Sequence, residues 1–260
     1  MSISAMMDKA MLKKPIVIAP ALALLLFSCA TQINGSLRGD GQADLQIRAA
    51  LEPRISALIG SFTAVSGAAQ PDATAPILDG PAIAASMSSA PGIASVSFKN
   101  TTPAAIEGPV KIAQIGDFLA AGSKNARFIN FEQNARGGAA SGGASTTGGR
   151  CTINLSLDSG PEILTLISPE ISEYLAALMA PLATGEALTK AEYLELVGSV
   201  YGRGIADEIS KAVIRASIDF PGTVQSVKGG TFSGRRAEFA IPLPDILALE
   251  TPLSYEVVWR

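Results

Sequence analysis

Apolar and polar residues alternate with period two in several short stretches. Ile33, Gly35 and Leu37 alternate with Asn34, Ser36 and Arg38, and Ala43, Leu45, Ile47 and Ala49 alternate with Asp44, Gln46 and Arg48. Gly39-Asp40-Gly41 lies between the two runs, so residues 31–50 read as a hairpin with one buried face. Similar runs occur at Ile93–Phe98, Arg127–Glu132, Cys151–Leu157, Arg236–Ile241 and Leu253–Trp259. Each is the half-buried pattern of an antiparallel sheet, not the continuous apolar run of a parallel one.

Between these stretches the period changes to that of a helix. Residues 53–62 place Ile55, Leu58 and Ile59 on one side. Ser168-Pro169-Glu170 reads as a helix start leading into Ile171–Met179, and Thr189-Lys-Ala-Glu192 reads as a capping box. A third helix begins near Gly204, with Ile205, Ile209 and Val213 opposite Asp207, Lys211 and Arg215. Two stretches are loose: 63–92, with a weak helix at 80–90, and the Gly/Ser/Ala-rich run 136–149. The expected fold is α+β: an antiparallel sheet of N- and C-terminal strands with helices packed on one face. The hairpin at 31–50 and the strands at 223–259 are expected to share that sheet, so that residues 253–260 are required for folding.

The first 28 residues do not fit this fold. Lys9, Lys13 and Lys14 precede the apolar run Pro15–Phe27, which is shorter than the roughly 20 residues a spanning helix needs. The run ends in Leu26-Phe27-Ser28-Cys29, which resembles a bacterial lipobox, with Phe27 departing from the tight consensus. The resemblance implies a signal peptide over 1–28 and a single domain over 29–260. It also implies diacylglycerol and palmitate on Cys29, and a bacterial cell-envelope location on a membrane. The expected partners are the membrane, through that lipid, and a lipid or envelope protein bound by the domain.

Composition narrows the chemistry. Of 260 residues, 48% are hydrophobic and 17% charged, enough apolar surface for a core and too much for a disordered chain. There is no histidine, which removes Ser-His-Asp and Cys-His catalysis and imidazole-bound zinc. Residues 1–28 carry three lysines against Asp8, so their loss takes the net charge from −3 to about −5. An acidic chain with scattered charges argues against nucleic acid as a partner. No metal or cofactor is indicated. Beyond Cys29 the one cysteine is Cys151, expected as a buried thiol on the strand face shared by Ile153, Leu155 and Leu157.

Two clusters remain as candidates. Glu192 and Glu195 share a helix face, and Asp207 stands beside Glu208. Together they are the clustered carboxylates available to an envelope hydrolase or transferase. Arg38-Gly39-Asp40, at the hairpin tip, is a tripeptide that some adhesion receptors read. The sequence leaves enzymatic activity open and leans toward a non-enzymatic binding or structural module. Any ligand site is expected to be apolar and to lie between the sheet and the helices of 161–216.

The C-terminal pattern is the most specific. Asp219-Phe-Pro221-Gly222-Thr-Val224 leads through Lys228-Gly229-Gly230 to Phe232-Ser-Gly234, then Arg236–Phe239, Ile241–Asp245 and Ser254–Trp259. With the hairpin after Cys29, this ending resembles the LppM-type bacterial envelope lipoproteins over about residues 31–60 and 218–259. The resemblance implies a compact α+β domain displayed at the envelope and carries no catalytic residue to any position.

Overall fold

The computed structural model describes residues 30–65, 76–122, 128–134, 148–165 and 175–260. The signal segment 1–28, Cys29, most of the Gly-rich run 136–149 and the Ser168-Pro169-Glu170 helix start lie outside the described residues.

The fold is α+β. The alternating runs form β1 (Ala30–Leu37) and β2 (Ala43–Ala50), joined by the expected turn, with Gly41 at φ 83°. Helix α1 (Pro53–Val65) and helix α2 (Gly80–Ser88) follow, the second capped by Asp79, whose Oδ1 accepts the Ala82 N–H at 3.0 Å. Within the stretch read as loose at 63–92, the weak helix expected at 80–90 is present as α2, and α1 runs on to Val65. Ala84 and Met87 of α2 are buried in one cluster with Ile106 of the sheet and Phe98 of the link between two of its strands, packing that the small-residue composition conceals.

Three strands come next: β3 (Ile93–Val96), β4 (Lys99–Thr102) and β5 (Ala105–Ile112). Gly108 lets the Ser97 carbonyl press against β5; a Cβ there would collide with that oxygen. After α3 (Ile115–Gly122) come β6 (Ile129–Asn134) and β7 (Gly148–Leu155). Helices α4 (Gly160–Thr165), α5 (Pro181–Thr184), α6 (Lys190–Tyr201) and α7 (Arg203–Lys211) form the helical region. The last helix of that region stops before Val213, which opens β8 (Val213–Asp219), because Ala212 is already extended. The chain closes with β9 (Val224–Lys228), β10 (Thr231–Ser233), β11 (Arg236–Pro242), α8 (Leu243–Ala248) and β12 (Leu253–Trp259).

N- and C-terminal strands do pair, but in two sheets where the sequence suggested one. The larger runs β10-β11-β8-β1-β2-β5-β3, with β4 also on β5; the smaller runs β6-β7-β12-β9. Pairing is antiparallel except for β1 with β8, which run parallel. The split falls at Gly229-Gly230, where the chain leaves β9 in the small sheet and enters β10 in the large one. The physical reason is burial. Tyr255, Val257 and Trp259 project from the same face of β12, and only a facing sheet supplies enough apolar surface to cover them.

The two sheets enclose one core cluster, and the helices build another across one end of the sandwich. That second cluster joins Ile55, Leu175, Leu182, Tyr193, Val197, Ile205, Ile209 and Leu247 to Leu51 and Ile214 at the strand ends. At the opposite end Trp259 is fully buried, with Phe220 at 4.9 Å and Phe131 at 6.0 Å between ring centroids. Gly149, paired with Trp259, leaves room for the indole, since a Cβ would strike the ring.

Candidate functional site

Between the helical end and Trp259 the sheets do not close on each other. A cavity of about 350 Å³ lies there. One wall is made by the inward residues of the large sheet: Ile33 and Leu37, Leu45, Ile214 with Ala216 and Ile218, and Phe239 with Ile241. The other is made by the small sheet, through Ile129 and Phe131, Cys151, Ile153 and Leu155, and Tyr255 with Val257. Ile246 and Leu249 close the helical end, and Phe220 closes the other.

The space follows from residue size. Facing sheets pack about 10 Å apart and fill the gap with interdigitating side chains. Here Ala216 and Cys151 occupy inward positions among larger neighbours, and their small side chains leave the middle of the gap empty. Ile33, Leu45, Ile153, Phe239 and Tyr255 point inward yet are only half-buried, because the space between them reaches the surface.

Its chemistry is that of a container. Polar lining is confined to Ser36, Tyr255 and Glu256. Burial pushes the Cys151 thiol up to about 11, so it is uncharged at neutral pH and a poor nucleophile. Burial, with Asp245 adding a smaller effect, raises the Tyr255 phenol above its ordinary value. Glu256 faces Arg150 at 3.9 Å and the Thr152 hydroxyl at 3.5 Å. An apolar chain is what such walls accept: burial of CH₂ groups is favourable by about 0.8 kcal/mol each.

The residues singled out in the sequence stand elsewhere. The Glu192 carboxylate accepts the Thr189 N–H and hydroxyl, both at 2.8 Å, and this hydrogen bonding holds its pKa below the usual carboxylate range. Glu208 accepts the Arg54 and Ile55 amides at 3.4 and 3.1 Å, capping the start of α1. Glu195 and Asp207 are exposed. None of the four lines the cavity, and two of them are committed to helix ends. Among the described residues no cluster of His, Cys, Asp or Glu could hold a metal ion.

At the hairpin tip, Arg38 pairs with Asp44, and Asp40 accepts the Gln42 amide at 3.1 Å. The Gln133 side chain donates to the carbonyls of Arg38 and Gly39, each at 3.2 Å, and the Ile115 amide donates to Gly41 at 2.9 Å. Both charged groups are thus engaged within the molecule, and the turn is tied down on two sides. The expected location between sheet and helices of 161–216 is also corrected. The apolar residues of those helices pack on one another and on the strand ends, whereas the open space lies between the sheets. A signal did exist in the sequence, namely the small inward residues Ala216 and Cys151 within otherwise bulky alternating runs.

No helix among the described residues is long and apolar enough to cross a membrane. No family model and no curated protein matches this chain. Among solved structures, the NMR structure of the folded domain of Mycobacterium tuberculosis LppM aligns over 88% of this chain and 89% of that one, with 13% identity and a TM-score of 0.36. The chain is weakly similar to that domain, at a level that carries no argument about function.

Proposed function

We propose that this protein is an envelope lipoprotein, anchored through acyl chains on Cys29, whose domain binds a hydrocarbon chain in the cavity between its sheets. The observation that carries the binding role is the cavity itself: about 350 Å³ with almost wholly apolar walls, within the size range of small-molecule sites. The neutral Cys151 thiol and the absence of histidine favour holding a ligand over transforming one. The anchor rests on the charged start, short apolar run and Leu26-Phe27-Ser28-Cys29 of the sequence.

Binding is tested on the chain from Ala30 onward, which contains every described element. Organic extraction followed by mass spectrometry reads co-purifying lipid, and titration with a fluorescent fatty acid reads affinity. Saturable binding that is lost in Ala216→Phe supports the reading; no binding to the delipidated protein overturns it. The anchor is tested separately. Mass spectrometry should find an acylated mature N-terminus at Cys29, and Cys29→Ala should release the protein from membranes.

A further inference from the structure

The outer face of the large sheet carries a charge pattern that its own fold uses only in part. Four adjacent strands, β8-β1-β2-β5, present three cross-strand rows in register. One row reads Arg215–Gln32–Arg48–Glu107, the middle row Ser217–Asn34–Gln46–Pro109, and the third Asp219–Ser36–Asp44–Lys111. On β8, β2 and β5, therefore, opposite charges stand four residues apart around an uncharged middle residue. The acids are each paired internally, Glu107 with Arg48 at 2.7 Å and Lys99 at 3.0 Å, Asp219 with Arg236 at 2.8 Å, and Asp44 with Arg38. No side-chain hydrogen bond or ion pair within the described residues engages Arg215, Lys111, Gln32, Asn34 or Gln46.

We infer that this face is the contact surface of a reversible two-fold dimer whose axis runs along the middle row. Turning a second copy about that axis lays each strand antiparallel over its own counterpart. Arg215 then faces Asp219 of the other copy, Arg48 faces Asp44 and Lys111 faces Glu107, and every pair occurs twice. The alternative axis, along β1, sets Arg215 over Arg48 and Asp219 over Asp44, which is repulsive throughout. The charge pattern favours the first orientation, in which the one like-charge contact is Glu238, beside Ser217 on β11, against its own counterpart at the edge.

Shape agrees with charge. A hollow of about 450 Å³ lies over Asn34, Ser36, Asp44, Gln46, Ser217 and Asp219, bordered also by Lys111 and Arg236. In the two-fold arrangement Arg215 and Arg48 of the other copy lie over this hollow. The face spans few strands and its ion pairs are exposed, each contributing little. The dimer is therefore weak, forming at submillimolar concentration and weakening as salt rises. Because β1 begins directly after Cys29, copies anchored as proposed above would leave such a dimer at opposite ends. It would then join molecules on facing membrane surfaces rather than neighbours on one.

The test uses the chain from Ala30 onward in sedimentation equilibrium, at about 0.01 M ionic strength, where the screening length is about 30 Å, and again at about 1 M. Dimers that dissociate at high salt are expected. Arg215→Glu and Lys111→Glu, which break no internal pair, should each weaken the dimer about fivefold. Ser217→Cys, on the axis, should be joined to its own counterpart by a short bismaleimide, whereas Cys151 is sheltered by burial. Monomers throughout at submillimolar concentration, an association indifferent to both substitutions, or a dimer in which Ser217→Cys cannot be cross-linked would each overturn the inference. Lipid binding is read independently, so the dimer can fail without touching the cavity.

Discussion

The helical end and the space between the sheets are built from the same kinds of side chain and packed to opposite effect. At the helical end Leu175, Tyr193 and Val197 are fully enclosed, and burial raises the Tyr193 phenol far above its ordinary value. Between the sheets Ile33, Ile153 and Phe239 face inward and still border open space. Complete packing marks the first region as the scaffold; incomplete packing marks the second as the place where a ligand can be taken up. The difference comes from geometry more than from hydrophobicity. Helices can slide and rotate until ridges fill grooves, while two hydrogen-bonded sheets hold their separation and leave small residues facing a gap.

The contrast can be broken most severely by removing residues 253–260. Since β12 is paired on both sides, with β7 and β9, the truncated chain should lose its cooperative thermal transition. Within the scaffold, Tyr193→Ala should cost about 3–5 kcal/mol in urea denaturation, whereas Ile153→Ala, beside an existing void, should fall near the low end of about 2 kcal/mol. Filling the gap sharpens the comparison. Ala216→Leu should change stability by less than about 1.5 kcal/mol while reducing fatty-acid binding sharply, as isothermal titration would read. At the scaffold's margin, Thr189→Ala removes the α6 cap and should cost about 1 kcal/mol.

The smallest effect concerns pH. Hydrogen bonds from Arg48 and then Lys99 hold Glu107 below the usual carboxylate range, and Arg236 does the same for Asp219. A lowered folded-state pKa gives stability that is present above the ordinary carboxylate range and lost as pH falls through the lowered value. Both groups are half-buried with partners that reach into solvent, where screening is strong, so Arg48→Met with Arg236→Met should flatten the acid limb of the melting temperature only slightly.

How much of this could be read in advance varied with the element. Asp44-Leu-Gln-Ile-Arg48 announces a strand because every second residue is apolar, and Thr189 with Glu192 announces a helix start because the two satisfy each other's backbone groups. Strand β5 escaped notice, since Gly108 and Pro109 interrupt an otherwise alternating run and proline reads as a breaker. Alternation also says that one face is covered without saying by what. That is why the division into two sheets, and with it the cavity, lay beyond reach. The apolar helix residues pointed to a greasy cleft beside them, but they are consumed by contacts with one another. The carboxylates illustrate the same limit: spacing brings Glu192 and Glu195 onto one helix, yet the hydrogen bonds available to Glu192 decide its task.

Trp259 is the chain's single tryptophan, and its indole N–H has no hydrogen-bond partner among the described residues. Phe131 and Phe220 separate it from the empty space by one layer of rings. The protein therefore carries its own optical gauge. Excited selectively, this one fluorophore should emit at short wavelength in the folded state, and its intensity should respond when the neighbouring phenylalanines shift around an incoming chain. Occupancy can then be followed in real time on unlabelled protein, with Ala216→Leu as the silent control.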